Sequence, residues 1–233
     1  MTEWIQRTTP EALAQYFDHT LLRADAMEAD FARVCADSAA YHFKMVAINP
    51  APVALCRQLL KGTDVHVGAA IGFPLGQATA EIKRLETIDA LDNGADEIDY
   101  VINVTQLKEK RYDFIAKEMQ GIVAACHARG KICKVIFETC YLEEAEKIAL
   151  CHIAREVKPD FIKTSTGFGT GGATVEDIRL MAAETRGEIG VKASGGIRTL
   201  EAAFAMIDSG ATRIGSTSSV KILDAFVDKR RAL

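Results

Sequence analysis

The sequence predicts an α/β fold, a TIM (β/α)8 barrel that is preceded by a short N-terminal helix. Eight short apolar runs alternate with longer segments of helical periodicity, which is the pattern of repeated strand–helix units. The length of 233 residues suits one such barrel. Hydrophobic residues make up 48% of the chain and charged residues 26%, a balance that is typical of a folded core and excludes a disordered chain.

The eight candidate strands are spread along the whole chain. They cover residues 16–21, 44–49, 64–70, 96–103, 131–138, 159–163, 189–193 and 212–215. A short helix is predicted near residues 10–16, ahead of the first strand. Eight units of this spacing favour a closed parallel barrel, and a doubly wound open sheet is the main alternative. No linker or break in composition divides the chain, so residues 1–233 are predicted to form a single domain.

Three segments between the strands carry clear helix signals. Residues 79–94 contain an apolar stripe of helical period, formed by Ile82, Leu85, Ile88, Ala90 and Leu91. Residues 142–158 repeat this pattern. Residues 174–185 open with Thr174 and Asp177, a predicted N-cap followed by an acidic residue in the first turn.

Composition limits the classes of partner. The net charge of −4 argues against a nucleic-acid-binding surface, and no apolar run approaches the length that spans a membrane. The N-terminus lacks the apolar segment of a signal peptide. The six cysteines form no C-x-x-C pair, and most of them are predicted to be buried thiols, which favours a reducing compartment. We therefore expect a cytoplasmic protein that binds neither nucleic acid nor membrane.

Charged residues occur where a barrel would bury them. The strand-like segments contain Asp18, Glu97, Asp99, Lys163 and Lys192. An unpaired charge in a barrel interior is costly, so these groups are predicted to pair with one another or with a ligand. A purely structural ion-pair network is the alternative for any one of them. Because active sites of such barrels lie at the carboxyl ends of the strands, the set as a whole favours a functional site.

Lys163 and Lys192 carry the chemical prediction. They lie on the sixth and seventh predicted strands, which are neighbours in a barrel. Two ammonium groups held close together repel, so one of them loses its proton more easily and becomes a nucleophile toward carbonyls. Asp99 could move protons through a positioned water. These residues predict Schiff-base chemistry, and their positions alone leave open which lysine is the nucleophile.

Two glycine and hydroxyl segments predict a phosphate site. "SGGIR" at residues 194–198 follows the seventh strand, and "GSTSS" at residues 215–219 follows the eighth. Barrels often bind phosphate with these two loops, although ordinary turns and helix caps are the alternative. "KTSTGFGTGG" at residues 163–172 could add a third wall. Its G-x-G-x-x-G match is weak support for a dinucleotide fold, because it follows the sixth strand rather than an opening strand.

The strand motifs also resemble one family in order and over residues 16–220. "GFPLG", "GADEIDYVINV", "KVIFET", "FIKTSTGF" and "VKASGGIR" are similar to those of the deoxyribose-phosphate aldolases. The resemblance implies a class I aldolase with a TIM barrel that needs no metal or cofactor. It also implies reversible cleavage of 2-deoxy-D-ribose 5-phosphate, a small sugar phosphate, to D-glyceraldehyde 3-phosphate and acetaldehyde. We further expect a homo-oligomer, with a dimer favoured.

The same resemblance implies a role for each residue of the motifs. Lys163 would form the Schiff base, Lys192 would lower its proton affinity, and Asp99 would donate and accept the proton. The residues expected at the substrate are Asp18, Thr166, Gly167, Gly195, Gly196, Gly215, Thr217 and Ser218. Two alternatives remain: a Schiff-base aldolase or transaldolase for another sugar phosphate, and a sugar-phosphate-binding barrel without turnover.

Overall fold

Eight parallel strands pair in chain order, and the last pairs with the first, so that the sheet closes into a barrel. The structure is a computed structural model and describes the backbone of residues 1–233 and every side chain except that of residue 2. The strands are β1 (Phe17–Leu21), β2 (Met45–Ile48), β3 (His66–Ile71), β4 (Glu97–Val101), β5 (Ile132–Ile136), β6 (Phe161–Lys163), β7 (Gly190–Ser194) and β8 (Arg213–Ser216). Every predicted strand is confirmed to within two residues at each end. The pairing of β1 with β8 excludes the doubly wound open sheet.

Helices surround the barrel and connect its strands. They are α1 (Thr2–Arg7), α2 (Pro10–Ala14), α3 (Glu28–Tyr41), α4 (Val53–Leu59), α5 (Ala80–Asp92), α6 (Val104–Lys108), α7 (Tyr112–His127), α8 (Glu144–Val157), α9 (Val175–Thr185), α10 (Leu200–Asp208) and α11 (Ser219–Arg231). The predicted N-terminal helix is α2, which Thr9 caps through its side chain. The predicted cap of α9 is also present, because Thr174 Oγ accepts a hydrogen bond from the Asp177 amide at 3.0 Å. Helix α1 was not predicted.

Helix α5 buries only part of the face that its apolar stripe indicates: Ala90 and Leu91 are buried, but the first turns of the helix bury a lysine instead. Ile82 and Leu85 are 53% and 47% exposed, whereas Lys83 is fully buried. The Lys83 ammonium donates to the carbonyl of Val101 and to Glu118 on α7, each at 2.8 Å. This buried ion pair turns the helix so that its lysine faces the barrel and two apolar side chains face outward. Hydrophobic periodicity cannot anticipate such a pair, because the partner is supplied by another helix.

The hydrophobic core lies between the barrel and its helices. All four residues of β2 are buried, and buried apolar residues of the strands and helices form one cluster. Buried charged side chains, among them Asp99, Lys134 and Lys192, lie inside the barrel. Five of the six cysteines are buried free thiols, as predicted, and Cys140 is partly exposed. Among the helices that the structure describes, none is both long and apolar enough to span a membrane.

The two ends of the chain pack together, with α1 against the C-terminal half of α11. The Trp4 ring makes edge contacts with Phe204 and Phe226 at centroid distances of 5.2 and 5.7 Å. Arg230 donates to the carbonyl of Ile5 at 2.6 Å. Aromatic edge contacts and a charged donor on a backbone carbonyl hold α1 against the last helix of the barrel.

Candidate active site

Two lysines and one aspartate meet at the carboxyl end of the barrel. Strand pairing sets Lys163 of β6 directly beside Lys192 of β7, the neighbour relation that the sequence predicted. Both ammonium groups contact one oxygen of Asp99 from β4, with Nζ–Oδ2 distances of 2.9 Å for Lys163 and 2.7 Å for Lys192. All three side chains are buried. A single carboxylate oxygen therefore lies between two buried amines.

The other oxygen of Asp99 is held by a third lysine. Lys134 of β5 donates to Asp99 Oδ1 at 2.6 Å. Burial by itself would raise the pKa of Asp99, but the charges of Lys134, Lys163 and Lys192 hold it well below its usual range. Asp99 is therefore an ionised, fully hydrogen-bonded carboxylate whose orientation is fixed from both sides.

Lys163 has the properties of an activated amine. Its pKa is lowered from 10.5 to about 8: burial has the largest effect, the positive charges of Lys192 and Lys134 act in the same direction, and Asp99 opposes them. A sizeable fraction of the group is then neutral near physiological pH, and a neutral amine attacks carbonyl carbon. The lowered pKa favours Lys163 as the attacking amine, a choice that the sequence positions of the two lysines left open.

A second group of charges lies below this triad, deeper in the barrel. Asp18 contacts Lys192 at 2.5 Å and Arg213 at 2.7 Å. Glu97 contacts Lys134 at 2.6 Å and Arg213 at 3.3 Å. Asp18 is therefore enclosed by cations at the base of the site.

Lys134 and Arg213 were not among the site residues predicted from the sequence. The signal that revealed the other charges was present for both, because each interrupts an apolar strand, in "ICKVIF" and "TRIGS". Both are buried, and nearby carboxylates raise the pKa of each against the effect of burial. They are permanent cations, and their charges help to keep the pKa of Glu97 low, while Lys134 does the same for Asp99.

The cluster is balanced only when one amine is neutral. Its cations are Lys134, Lys163, Lys192 and Arg213, and its carboxylates are Asp18, Glu97 and Asp99. Four positive groups thus face three negative ones. A buried surplus charge is unfavourable, so loss of one proton relieves the whole cluster. Lys163 has the fewest carboxylate contacts of the three lysines, so it is the group that loses the proton.

A cavity of about 260 Å³ opens above the lysines. Most of the residues predicted at the substrate line it together with Lys163 and Lys192: Thr166, Gly167, Gly195, Gly196, Gly215 and Thr217. Ser218 lines a neighbouring cavity, and its amide donates to Ser216 Oγ at 2.9 Å. Asp18 lies beneath the cavity. Arg198 lines the glycine end and adds a positive charge that the sequence analysis did not single out.

The glycine loops after β6 and β7 lie in backbone contact. Gly167 and Gly195 have φ values of +86° and +87°, which favour glycine. A Cβ on Gly172 would lie 2.2 Å from the carbonyl oxygen of Gly195. The G-x-G-x-x-G match therefore serves loop-to-loop packing at the mouth of a barrel, rather than the opening turn of a dinucleotide fold.

The side chains that the structure describes contain no group of three or more His, Cys, Asp or Glu residues arranged to hold a metal ion. The polar groups at this site are instead amines, one ionised carboxylate and the glycine-rich backbone of three loops. Such groups suit an aldehyde next to Lys163 and an anion at the glycine end.

A protein-family model of DeoC/LacD family aldolases matches residues 12–223 of this chain. The deoxyribose-phosphate aldolase of Lactobacillus acidophilus is 56% identical over 217 residues, which cover 93% of this chain and 92% of the relative. The deoxyribose-phosphate aldolase of Bacteroides thetaiotaomicron is 49% identical over 233 residues, which cover 100% of this chain and 98% of the relative.

Solved structures show the same architecture. A deoxyribose-phosphate aldolase from Aeropyrum pernix, described as tetrameric, superposes with a TM-score of 0.89 at 32% identity and covers 95% of this chain and 93% of its own. An aldolase called QR15 superposes with a TM-score of 0.89 at 37% identity, and the match covers 95% of this chain and 98% of QR15. The similarity therefore extends over the barrel as a whole.

Proposed function

Because this chain belongs to the DeoC/LacD family of aldolases, we propose that it reversibly cleaves 2-deoxy-D-ribose 5-phosphate to D-glyceraldehyde 3-phosphate and acetaldehyde. One observation carries the mechanism: a buried lysine with a pKa of about 8 shares a carboxylate oxygen with a second lysine. This arrangement suits an imine on Lys163. The cleavage requires no oxidant or reductant.

The reaction follows from a neutral amine at Lys163. Its nitrogen attacks C1 of the open-chain sugar, and loss of water gives an iminium. A base takes the proton of the C3 hydroxyl, the C2–C3 bond breaks, and C3 becomes the aldehyde carbon of glyceraldehyde 3-phosphate. The electron pair of the broken bond enters an enamine on Lys163. Protonation at C2 and hydrolysis then release acetaldehyde and restore the amine.

Asp99 and Lys192 would move the protons. Asp99 Oδ2 lies 2.9 Å from the Lys163 amine and 2.7 Å from the Lys192 amine, so one carboxylate oxygen orients both groups. Because the neighbouring lysines keep the pKa of Asp99 well below its usual range, we assign it to proton transfer through a water rather than to direct storage of a proton. Lys192 would keep the pKa of Lys163 low, and Asp18 would hold Lys192 in place from below.

The glycine end of the cavity would bind the phosphate. Gly167, Gly195, Gly196 and Gly215 leave the backbone open to a ligand, and Arg198 supplies a positive charge at that end. Thr217 lines the same cavity, whereas Ser218 lines the next one. We therefore propose Thr217 as a direct contact and Ser218 as a residue that shapes the loop.

Trapping and product analysis test the proposal together. The protein is incubated with 2-deoxyribose 5-phosphate, reduced with borohydride and digested, and we expect the added mass on the peptide that contains Lys163. Unreduced enzyme should release acetaldehyde in the presence of a chelator. A label on Lys192 alone would overturn the assignment of the nucleophile. Other products would indicate another Schiff-base aldolase or a transaldolase, and an absence of turnover would indicate a binding protein.

We also propose that residues 1–233 act as one domain and that the protein forms a homodimer in a reducing, cytoplasmic environment. Leu75, Ile82 and Leu85 line one surface groove and are 70%, 53% and 47% exposed, which supports a self-association surface. The molar mass in solution, measured by light scattering, should be twice the chain mass and should fall to the chain mass in Leu85→Lys. A monomeric wild-type protein would contradict the dimer.

The single domain is tested by thermal or denaturant unfolding. Two separate unfolding transitions would contradict it.

A further inference from the structure

Glu138 adopts a backbone conformation that needs a local cause. It follows β5 by two residues and has φ 56° and ψ 61°, the left-handed region that is unfavourable for a residue with a Cβ. Its side chain is only 3% exposed and does not line the catalytic cavity. Residues held in such conformations concentrate at functional sites, where the surrounding contacts fix them.

The carboxylate of Glu138 accepts two hydrogen bonds from one residue of the next loop, and its Oε1 also lies 4.0 Å from the Cys140 Sγ. Its Oε1 accepts a hydrogen bond from the Thr166 amide at 3.1 Å, and its Oε2 accepts one from the Thr166 hydroxyl. The Thr166 hydroxyl oxygen also accepts a hydrogen bond from the Phe168 amide at 3.0 Å. The hydroxyl has a single hydrogen, which must therefore point to Glu138. Glu138 thus holds Thr166 directly, and the Thr166 hydroxyl in turn holds the Phe168 amide.

That turn forms a wall of the proposed phosphate site. Gly167 lies between the two anchored residues and lines the catalytic cavity with Gly195. A Cβ on Gly167 would lie 3.7 Å from the Cα of Gly195, and the Ala173 amide donates to the carbonyls of Ser194 and Gly195 at 3.0 and 3.2 Å. Because the loops after β6 and β7 touch along their backbones, a shift at Thr166 would move both the Gly167 wall and the Gly195 wall of the cavity.

We propose that Glu138 is a positioning residue that holds the loop after β6 in its phosphate-binding form and thereby sets the preference for phosphorylated over unphosphorylated sugars. The inference rests on the proposed function above, since it assigns the phosphate to the Gly167 and Gly195 walls. Glu138 acts through Thr166 and does not contact the reacting carbons. Its loss should therefore change substrate binding more than the chemical step.

Two substitutions separate the carboxylate from the strained backbone. Glu138→Gln keeps the size, but its amide offers one acceptor and one donor, so one Thr166 donor faces an NH2 group. Glu138→Gly removes the carboxylate and also relieves the left-handed strain, so this variant should fold even if Glu138→Gln does not. If the hydrogen bonds carry the effect, both variants should behave alike despite their opposite effects on backbone strain.

The measurements are kcat and KM for 2-deoxyribose 5-phosphate and for 2-deoxyribose, together with competitive inhibition by inorganic phosphate. We expect both variants to raise KM for the phosphorylated sugar and the inhibition constant of phosphate by about tenfold, as loss of a hydrogen bond to a charged group can. The value of kcat, and kcat/KM for 2-deoxyribose, should stay within about twofold of the wild type.

Two control variants carry the same glutamate-to-glutamine substitution at other positions. Glu144→Gln alters an exposed residue of α8 and should change neither stability nor substrate preference. Glu118→Gln alters a carboxylate that is as buried as Glu138 and pairs with Lys83, so it should lower stability without changing the preference. Inactive wild-type enzyme would contradict the proposed function itself. Active wild type combined with equal losses on both sugars, or no change on either, in both Glu138 variants would overturn the positioning role.

Discussion

Lys134 and Lys163 are both buried lysines that donate to Asp99, yet their pKa values move in opposite directions. Lys134 lies within 2.6 Å of Glu97 and of Asp99, and 3.8 Å from Asp18, and these carboxylates raise its pKa despite burial. Lys163 has Asp99 alone as a carboxylate partner and lies beside Lys192, and its pKa is lowered to about 8. Burial therefore does not activate a lysine by itself, because the number of carboxylates around each ammonium decides the direction.

The same contrast separates two levels of the barrel interior. At the lower level, Asp18 and Glu97 alternate with Lys134 and Arg213, so each charge has an opposite neighbour. At the upper level, two lysines share a single carboxylate oxygen. The lower level can thus serve as a rigid, ionised base, and the surplus positive charge falls at the level that faces the cavity.

The strongest test of the contrast compares catalysis in two lysine variants. Lys163→Met should lower kcat on the order of 10⁴-fold or more, because it removes the proposed nucleophile. Lys134→Met should still form the borohydride-reducible adduct, since its amine is not the attacking group. Kinetics and intact-protein mass after reduction measure both. An adduct of normal yield in Lys163→Met would contradict the assignment of Lys163 as the nucleophile.

In stability, Lys134→Met should be the more damaging of the two substitutions, the reverse of their order in catalysis. Lys134→Met should lower the free energy of unfolding by about 3–5 kcal/mol, because it leaves buried carboxylates without a partner. Lys163→Met removes the surplus cation and should leave the free energy of unfolding unchanged or higher. Urea titrations measure both, with Lys61→Met, an exposed lysine, as the control. Losses of similar size in the two buried variants would show that the lower level is not the better paired one.

The pH dependence of stability should also carry the signature of Lys163. Its pKa is about 8 in the folded chain against an ordinary 10.5, so between these values the unfolded chain binds more protons. Stability should therefore rise with pH in this window, and the penalty should be fully present below pH 8. The gap corresponds to about 3 kcal/mol. We expect wild type to gain about that much relative to Lys163→Met between pH 7.5 and 10.5, and parallel curves would contradict the lowered pKa.

The smallest effect is expected from the neighbour of the nucleophile. Lys192→Leu removes the positive charge beside Lys163 and frees Asp99 Oδ2, so the pKa of Lys163 should rise by about one unit, equivalent to about 1.4 kcal/mol. The measurement is the rate of adduct formation as a function of pH, which does not require full turnover. The acidic limb should move to higher pH in this variant and stay in place in Lys61→Leu. An unmoved limb in Lys192→Leu would show that burial and Lys134 lower the pKa of Lys163 without Lys192.

Sequence patterns located the strands well and one helix face poorly. Each strand is a short apolar run between turn residues, a signal that depends on neighbours in the chain, and all eight were located to within two residues. The face of α5 depends on Glu118, which lies 35 residues beyond Lys83. A lysine in an amphipathic segment is normally assigned to solvent, so the ion pair that buries it was missed.

The sequence by itself determined which residue types enter the barrel and in what order. Asp18, Asp99, Lys163 and Lys192 were recognised because each interrupts an apolar strand, and Lys134 and Arg213 could have been recognised by the same rule. The family motifs pointed to Lys163 as the nucleophile. What they could not provide is the number of opposite charges around each lysine.

Only the tertiary structure decided those charge neighbours. The register between β6 and β7 sets Lys163 beside Lys192, and the register between β4 and β5 sets Asp99 beside Lys134. The contact of Glu138 with Thr166 likewise joins residues 28 positions apart. The physical reason is that strand formation depends on local periodicity, whereas a pKa depends on charges within a few ångströms, which closure of the barrel brings together from distant parts of the chain.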